Sequence, residues 1–99
     1  MNYQEYLLVC LMEECGEVQQ AAAKLLRFGK KDHHPDNELL TNEKELLTEM
    51  EQCLTVFKLL KEEKIINSLS IEETQTIDKE KREKLAYYMN YSRDVGRLS

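Results

Sequence analysis

Glu13, Glu14 and Glu17 in MEECGEVQQA, and Glu45, Glu49 and Gln52 in EKELLTEMEQCL, are spaced so that each set shares one face if its segment is helical. Positions three and four apart are neighbours on a helix surface, so each set gathers its acid and amide oxygens into one patch. Carboxylates this close repel one another. A hard divalent cation relieves that repulsion, because Mg²⁺, or Mn²⁺ in its place, takes several oxygen ligands at once. The candidate ligands are Glu14, Glu17 and Glu49, with Gln52 and Glu45 on the same flank of the second segment. Glu51 points to the opposite side. A solvated acidic face is the plainer explanation of either set alone. Two sets, each beside an apolar stripe and the first followed on its own flank by Lys24 and Arg27, favour a site where a metal and a phosphate chain meet.

These side chains need helices to carry them. Leu7, Leu8, Leu11, Cys15, Val18, Ala22, Leu25 and Leu26 recur at helical spacing and predict a first helix from about Tyr3 to Phe28, stopped by Gly29. GKKDHHPDNELL has the composition of an irregular loop, and Pro35 forces His34 away from helical angles. Thr41 or Asn42 is placed to cap a second helix, with Glu45 three residues after Asn42 as a capping-box acid. That helix carries Leu46, Leu47, Met50, Cys53, Leu54, Phe57 and Leu60 on one stripe and ends near Lys64. Ser70 and Glu73 form a second capping box and open a third helix to about Tyr91. Its apolar positions, Ile71, Ile77, Leu85, Tyr88 and Met89, are sparse.

With 99 residues, three Gly and one Pro, the chain reads as a single all-α domain over residues 1–99, near the lower limit of what one core stabilises alone. Antiparallel helices in a four-helix-bundle-like core, completed by a homodimer or tetramer, are the expected architecture. The stripe of Leu47, Met50, Leu54 and Phe57 is the expected shared surface. A formal charge of −5 argues against a generic nucleic-acid-binding surface. No apolar run reaches the ~20 residues of a membrane span, and the Met-Asn-Tyr-Gln-Glu start has none of the character of a signal peptide, so a cytoplasmic location is expected. Cys10, Cys15 and Cys53 lack metal-ligand spacing and lie on or beside apolar faces, the pattern of reduced core thiols.

Glu13-Glu14-Cys15-Gly16-Glu17 resembles the EExxE half of the signature of the MazG-like all-α nucleoside triphosphate pyrophosphohydrolases, and Glu49-Met50-Glu51-Gln52 stands where that family has ExxD. The likeness runs over residues 5–61. It includes the Lys-x-x-Arg-Phe-Gly end of the first helix, the His/Pro/Asp loop and the Asn-initiated second helix of small phage and bacterial members. The resemblance implies Mg²⁺-dependent hydrolysis of a nucleoside triphosphate, ribose or deoxyribose, to the monophosphate and pyrophosphate. It implies metal-holding roles for Glu14, Glu17 and Glu49, with Glu13 as a further ligand or as the base that orients the attacking water. Lys24, Arg27 and Lys30 become candidate phosphate-binding residues, and Lys31, His33 and His34 candidate parts of a lid. The departure is Gln52, which offers an amide oxygen but no negative charge; Glu45, one turn before Glu49, is the residue able to compensate.

Three readings stay open on these residues. The chain is an active pyrophosphohydrolase, a degenerate relative that binds nucleotide or protein without turnover, or a plain helical interaction module. A di-iron carboxylate bundle lacks its Glu-x-x-His spacing here.

Overall fold

The computed structural model describes residues 1–99, which form two compact units, residues 1–67 and residues 68–99. Helices of 26, 21 and 24 residues make the chain mostly helical. In the first unit, α1 (Tyr3–Phe28) starts where the Asn2 side chain accepts the Glu5 N–H at 2.8 Å. It ends at Gly29, whose φ of 86° needs a residue without a Cβ and whose N–H still reaches Leu25 O at 2.9 Å.

The segment expected to be an irregular loop instead holds a short antiparallel pair, β1 (His33–His34) and β2 (Asn37–Thr41), with an irregular register between the two histidines. Pro35 and Asp36 form the turn, with the Asp36 N–H donating to His34 Nδ1 at 3.1 Å. Composition concealed this pair because only two residues of β1 take part.

α2 (Asn42–Glu62) follows directly. Thr41 is its cap, accepting the Lys44 N–H at 3.1 Å. Glu45 does not form the expected capping box; it turns toward α1. Asn42 is buried instead, and its Nδ2 donates to Gly29 O at 3.0 Å. Together with the Asn42 N–H on Asp32 O (2.8 Å) this clamps the start of α2 to the end of α1, so the helices pack as an antiparallel hairpin. α2 closes with the Ile65 N–H on Leu60 O at 2.9 Å and the Lys64 N–H on Lys61 O at 3.0 Å, around Lys64 at φ 58°. This is the Schellman arrangement, with lysine where glycine is usual.

The packed faces are rotated from the expected stripes. On α1 the buried and half-buried positions are Leu7, Val9, Cys10, Leu11, Glu14, Gly16, Val18, Ala21 and Leu25, whereas Leu8, Cys15 and Ala22 are exposed and Leu26 is 87% exposed. On α2 they are Asn42, Glu45, Leu46, Glu49, Cys53, Val56, Leu59, Leu60 and Lys61. Leu60, with 0% exposure, is the most enclosed. Leu47, Met50, Leu54 and Phe57 lie outside this seam and are exposed. The seam steps by three and four along both helices, and this stepping brings Glu14 and Glu49 into it rather than leaving them on a flank.

The second unit is α3 (Ile71–Asp94), opened by the expected capping box: Ser70 Oγ accepts the Glu73 N–H at 3.0 Å and Glu73 Oε1 accepts the Ser70 N–H at 3.1 Å. It runs three residues past the expected Tyr91. None of its residues is buried, and the Arg82–Asp78 pair (2.8 Å) belongs to a charged, exposed middle.

Candidate metal centre and adjoining pocket

The middle of the α1–α2 seam is built from Glu14 and Glu17 on one helix and Glu49 on the other. One carboxylate oxygen from each lies within 4.8 Å of the other two. Glu14 and Glu49 are half-buried and Glu17 is exposed, so the group opens to water on the Glu17 side. Glu14 Oε2 and Glu49 Oε2 are buried and have no hydrogen-bond partner. Burying a charged oxygen without a partner is costly, so these two atoms call for a cation or a proton.

A proton is one answer. The Glu49 carboxyl is held above its ordinary pKa, first because Glu17 lies close enough to share the proton, then through burial, then through the negative charges of Glu17, Glu14 and Glu45. A divalent cation is the other. Mg²⁺ binds oxygens at about 2.0–2.1 Å, which places opposite ligands of an octahedron about 4.2 Å apart. Adjacent ligands of the same octahedron stand about 2.9 Å apart, so a spread of 4.8 Å must contract by about 0.6 Å for an opposite pair and by about 1.9 Å for adjacent ones, a movement that falls to the exposed Glu17 side chain. Three carboxylates are the kind of donor set a hard dication takes. Exposed acidic groups also occur with no ion.

The remaining expected ligands are arranged differently. Glu45 accepts a hydrogen bond from Lys24 Nζ at 3.0 Å, so its charge is spent on a side chain expected to bind phosphate. Gln52 and Glu13 are exposed, and the seam position after Glu49 belongs to Cys53. Cys53 Sγ lies 3.9 Å from Cys15 Sγ. Burial foremost, then the Cys15 thiol and the Glu14 charge, pushes the Cys53 thiol pKa up.

One turn beyond the carboxylates, toward the start of α2, a cavity of about 230 Å³ is lined by Lys24, Phe28, Asp32, His33, His34, Pro35, Asn42 and Glu45. The end of α1, β1 with its flanking Asp32 and Pro35, and the first turn of α2 form its walls, and it opens to solvent. Glu45 and Lys24 stand between this cavity and the carboxylate group. No family model, curated protein or solved structure matches the chain. No helix is long and apolar enough to cross a membrane.

Arg27 and Lys30 do not line the cavity. The Arg27 guanidinium lies 5.1 Å over the Phe28 ring, and Lys30 Nζ is 3.9 Å from Glu43 in an exposed pair. His33 and His34, read from composition as part of a loop, do line it, as does Asn42. The signal for Asn42 was its place directly after Thr41, at the first turn of a helix. Asp32 carried no signal beyond loop composition, and Pro35 only those of a helix breaker and of the loop in the family resemblance.

Proposed function

We propose that the chain is a Mg²⁺-dependent nucleotide pyrophosphohydrolase of the MazG-like kind, splitting a ribo- or deoxyribonucleoside triphosphate into the monophosphate and pyrophosphate. The observation that carries this reading is the meeting of Glu14, Glu17 and Glu49 in the helix seam, with two buried carboxylate oxygens that no protein group satisfies. When bound, the ion supplies charge neutralisation for the phosphate chain and its leaving group. Glu14 and Glu49, in the seam, and Glu17, on its open side, would hold the ion. Glu13, exposed next to Glu14, is the residue to which this reading gives the orienting of a water. Lys24 meets the phosphates once they displace Glu45 from it, an exchange of one anion for another at the same ammonium group. The cavity takes the nucleoside, with the Phe28 ring and the His33 and His34 imidazoles as its flat surfaces.

One observation favours a second reading, nucleotide binding without turnover. Gln52 provides no charge where the family signature has an acid, and Glu45 is committed to Lys24. Pyrophosphate release from a panel of ribo- and deoxyribonucleoside triphosphates, with Mg²⁺, with Mn²⁺ and with chelator, separates the two. Metal-dependent release that is lost in Glu49→Gln supports the enzyme. Saturable binding of the Mg²⁺ nucleotide with no release supports the second reading, and neither binding nor release overturns both.

The same reading includes assembly. Leu47, Met50, Leu54 and Phe57 form an exposed apolar row with a three-four-three step, and α3 buries nothing. A second copy that packs on this row completes a four-helix core as a homodimer, or as a dimer of dimers.

A further inference from the structure

Three thiols are available in the chain, and two of them face each other across the helix seam. Cys15 is exposed on α1, Cys53 is half-buried on α2, and their sulfurs are 3.9 Å apart although the residues are 38 positions apart in sequence. Cys10, on the same helix as Cys15, is half-buried and has no second sulfur beside it. We propose that Cys15 and Cys53 are a redox pair that closes to an intramolecular disulfide, stapling α1 to α2, when the protein meets a small-molecule disulfide.

The geometry is close to what the bond requires. A disulfide holds its sulfurs about 2.05 Å apart. The sulfurs, now in van der Waals contact, must therefore approach by a little under half their present separation. Both helices are continuous at these positions, and each cysteine sits in mid-helix, so the two partners are held facing each other instead of meeting by chance.

Exposure orders the steps. The Cys15 thiol gives up its proton, and its sulfur attacks one sulfur of the small disulfide RS–SR. A Cys15–SR bond forms, the RS–SR bond breaks, and the departing thiolate takes a proton. Cys53, sheltered from the reagent but in contact with Cys15, then gives up its proton and attacks Cys15 Sγ. The Cys15–Cys53 bond forms, the Cys15–SR bond breaks, and a second thiolate leaves and is protonated. Two protein thiols are oxidised, and one small disulfide is reduced to two thiols. Because the second attack is intramolecular, the mixed disulfide on Cys15 is short-lived.

The staple sits beside the carboxylate group, since Cys15 directly follows Glu14 and Cys53 lies one turn after Glu49. It ties together the two helices that carry those carboxylates, and it shortens the free chain of the unfolded state, so the oxidised form melts at a higher temperature.

The test uses the full-length reduced protein in chelator, with hydroxyethyl disulfide as the oxidant. A neutral reagent avoids repulsion by Glu13, Glu14 and Glu17. After free thiols are alkylated, peptide mapping should find Cys15 linked to Cys53 as the main product, Cys10 alkylated, and the intact mass lower by two hydrogens. The melting temperature should rise, and dithiothreitol should reverse the rise. Cys10→Ser should give the same linkage. Separate mixed disulfides on Cys15 and Cys53, a bond that includes Cys10, or chain-to-chain links as the main product would each overturn the pairing. So would a folded protein that does not react under conditions in which the urea-unfolded chain does. The inference does not depend on the metal reading: Mg²⁺ binding is measured on the reduced protein, and either result can fail alone.

Discussion

At the scale of single residues, the proposed site depends on carboxylates held where neighbours make them costly. If Glu14, Glu17 and Glu49 share one Mg²⁺, the ion at a hundred times its Kd should stabilise the protein by about 2.7 kcal/mol, and thermal melts of Glu49→Gln should show no such gain. Turnover in that variant should fall by about 100-fold or more, at or beyond the 10–100-fold that residues merely orienting metal ligands are worth. A melt of Glu49→Gln that still responds to Mg²⁺ would remove Glu49 from the site. The pH dependence follows from the raised Glu49 pKa. The folded pKa lies above the unfolded one, so the ion-free fold gains stability from a protonated Glu49 below the ordinary carboxylate value. It loses that contribution as the pH rises from there through the folded value. Melting the wild type and Glu49→Gln side by side in chelator should show the wild type losing ground across this window. At Gln52 a new carboxylate lies three residues after Glu49 on the same flank. Gln52→Asp should tighten Mg²⁺ about ten-fold, equivalent to about 1.4 kcal/mol, whereas Glu45→Gln should chiefly free Lys24 and change KM for the nucleotide. Isothermal titration with Mg²⁺ reads the first and steady-state kinetics the second; an unchanged affinity in Gln52→Asp would place that position outside the site.

At the scale of elements, helix ends set where the site residues lie. Asn42 fixes the register of α2 against α1 through its hydrogen bond to Gly29 O. Asn42→Ala removes that hydrogen bond from a buried amide and leaves the carbonyl of exposed Gly29 to water, and should cost about 0.5–1.5 kcal/mol in urea unfolding. Lys64 is the opposite case. It holds φ 58° at the end of α2, where a side chain is strained and glycine is not. Lys64→Gly should therefore stabilise the first unit by up to about 1 kcal/mol. A loss of stability in the variant would show that the lysine stem contributes more to packing than its backbone costs.

At the scale of the whole molecule, many large apolar side chains are left outside. Leu47 is 58% exposed, and Met50, Leu54 and Phe57 continue its row. Scattered exposed apolar residues are ordinary, and this row, at heptad spacing, is the surface on which we propose that a second copy packs. Sedimentation should show a dimer or tetramer at micromolar concentration, and Leu54→Glu should shift it to a monomer with lower helical content. A well-folded wild-type monomer would end the assembly proposal.

Local rules were enough to place the helices. Apolar periodicity, Gly29, the Thr41 cap and the Ser70–Glu73 box are all written into short stretches of chain, and the observed helix bounds fall within a few residues of those expected. The strand pair was not legible, because a two-residue strand exists only through its pairing with Asn37–Thr41. Nor was the direction in which each helix faces. The periodicity of α1 and α2 fits two overlapping apolar stripes, and only the antiparallel packing chose between them. It took Leu7, Ala21 and Leu60 inward, left Leu26 and Leu47 outside, and carried Glu14 and Glu49 into the seam. Sequence spacing grouped Glu14 with Glu17, since neighbours on one helix are fixed by its pitch. Their meeting with Glu49, the capture of Lys24 by Glu45 and the pairing of Cys15 with Cys53 are contacts between helices. Such contacts depend on the rotation and axial offset of one helix against the other, which no single segment encodes.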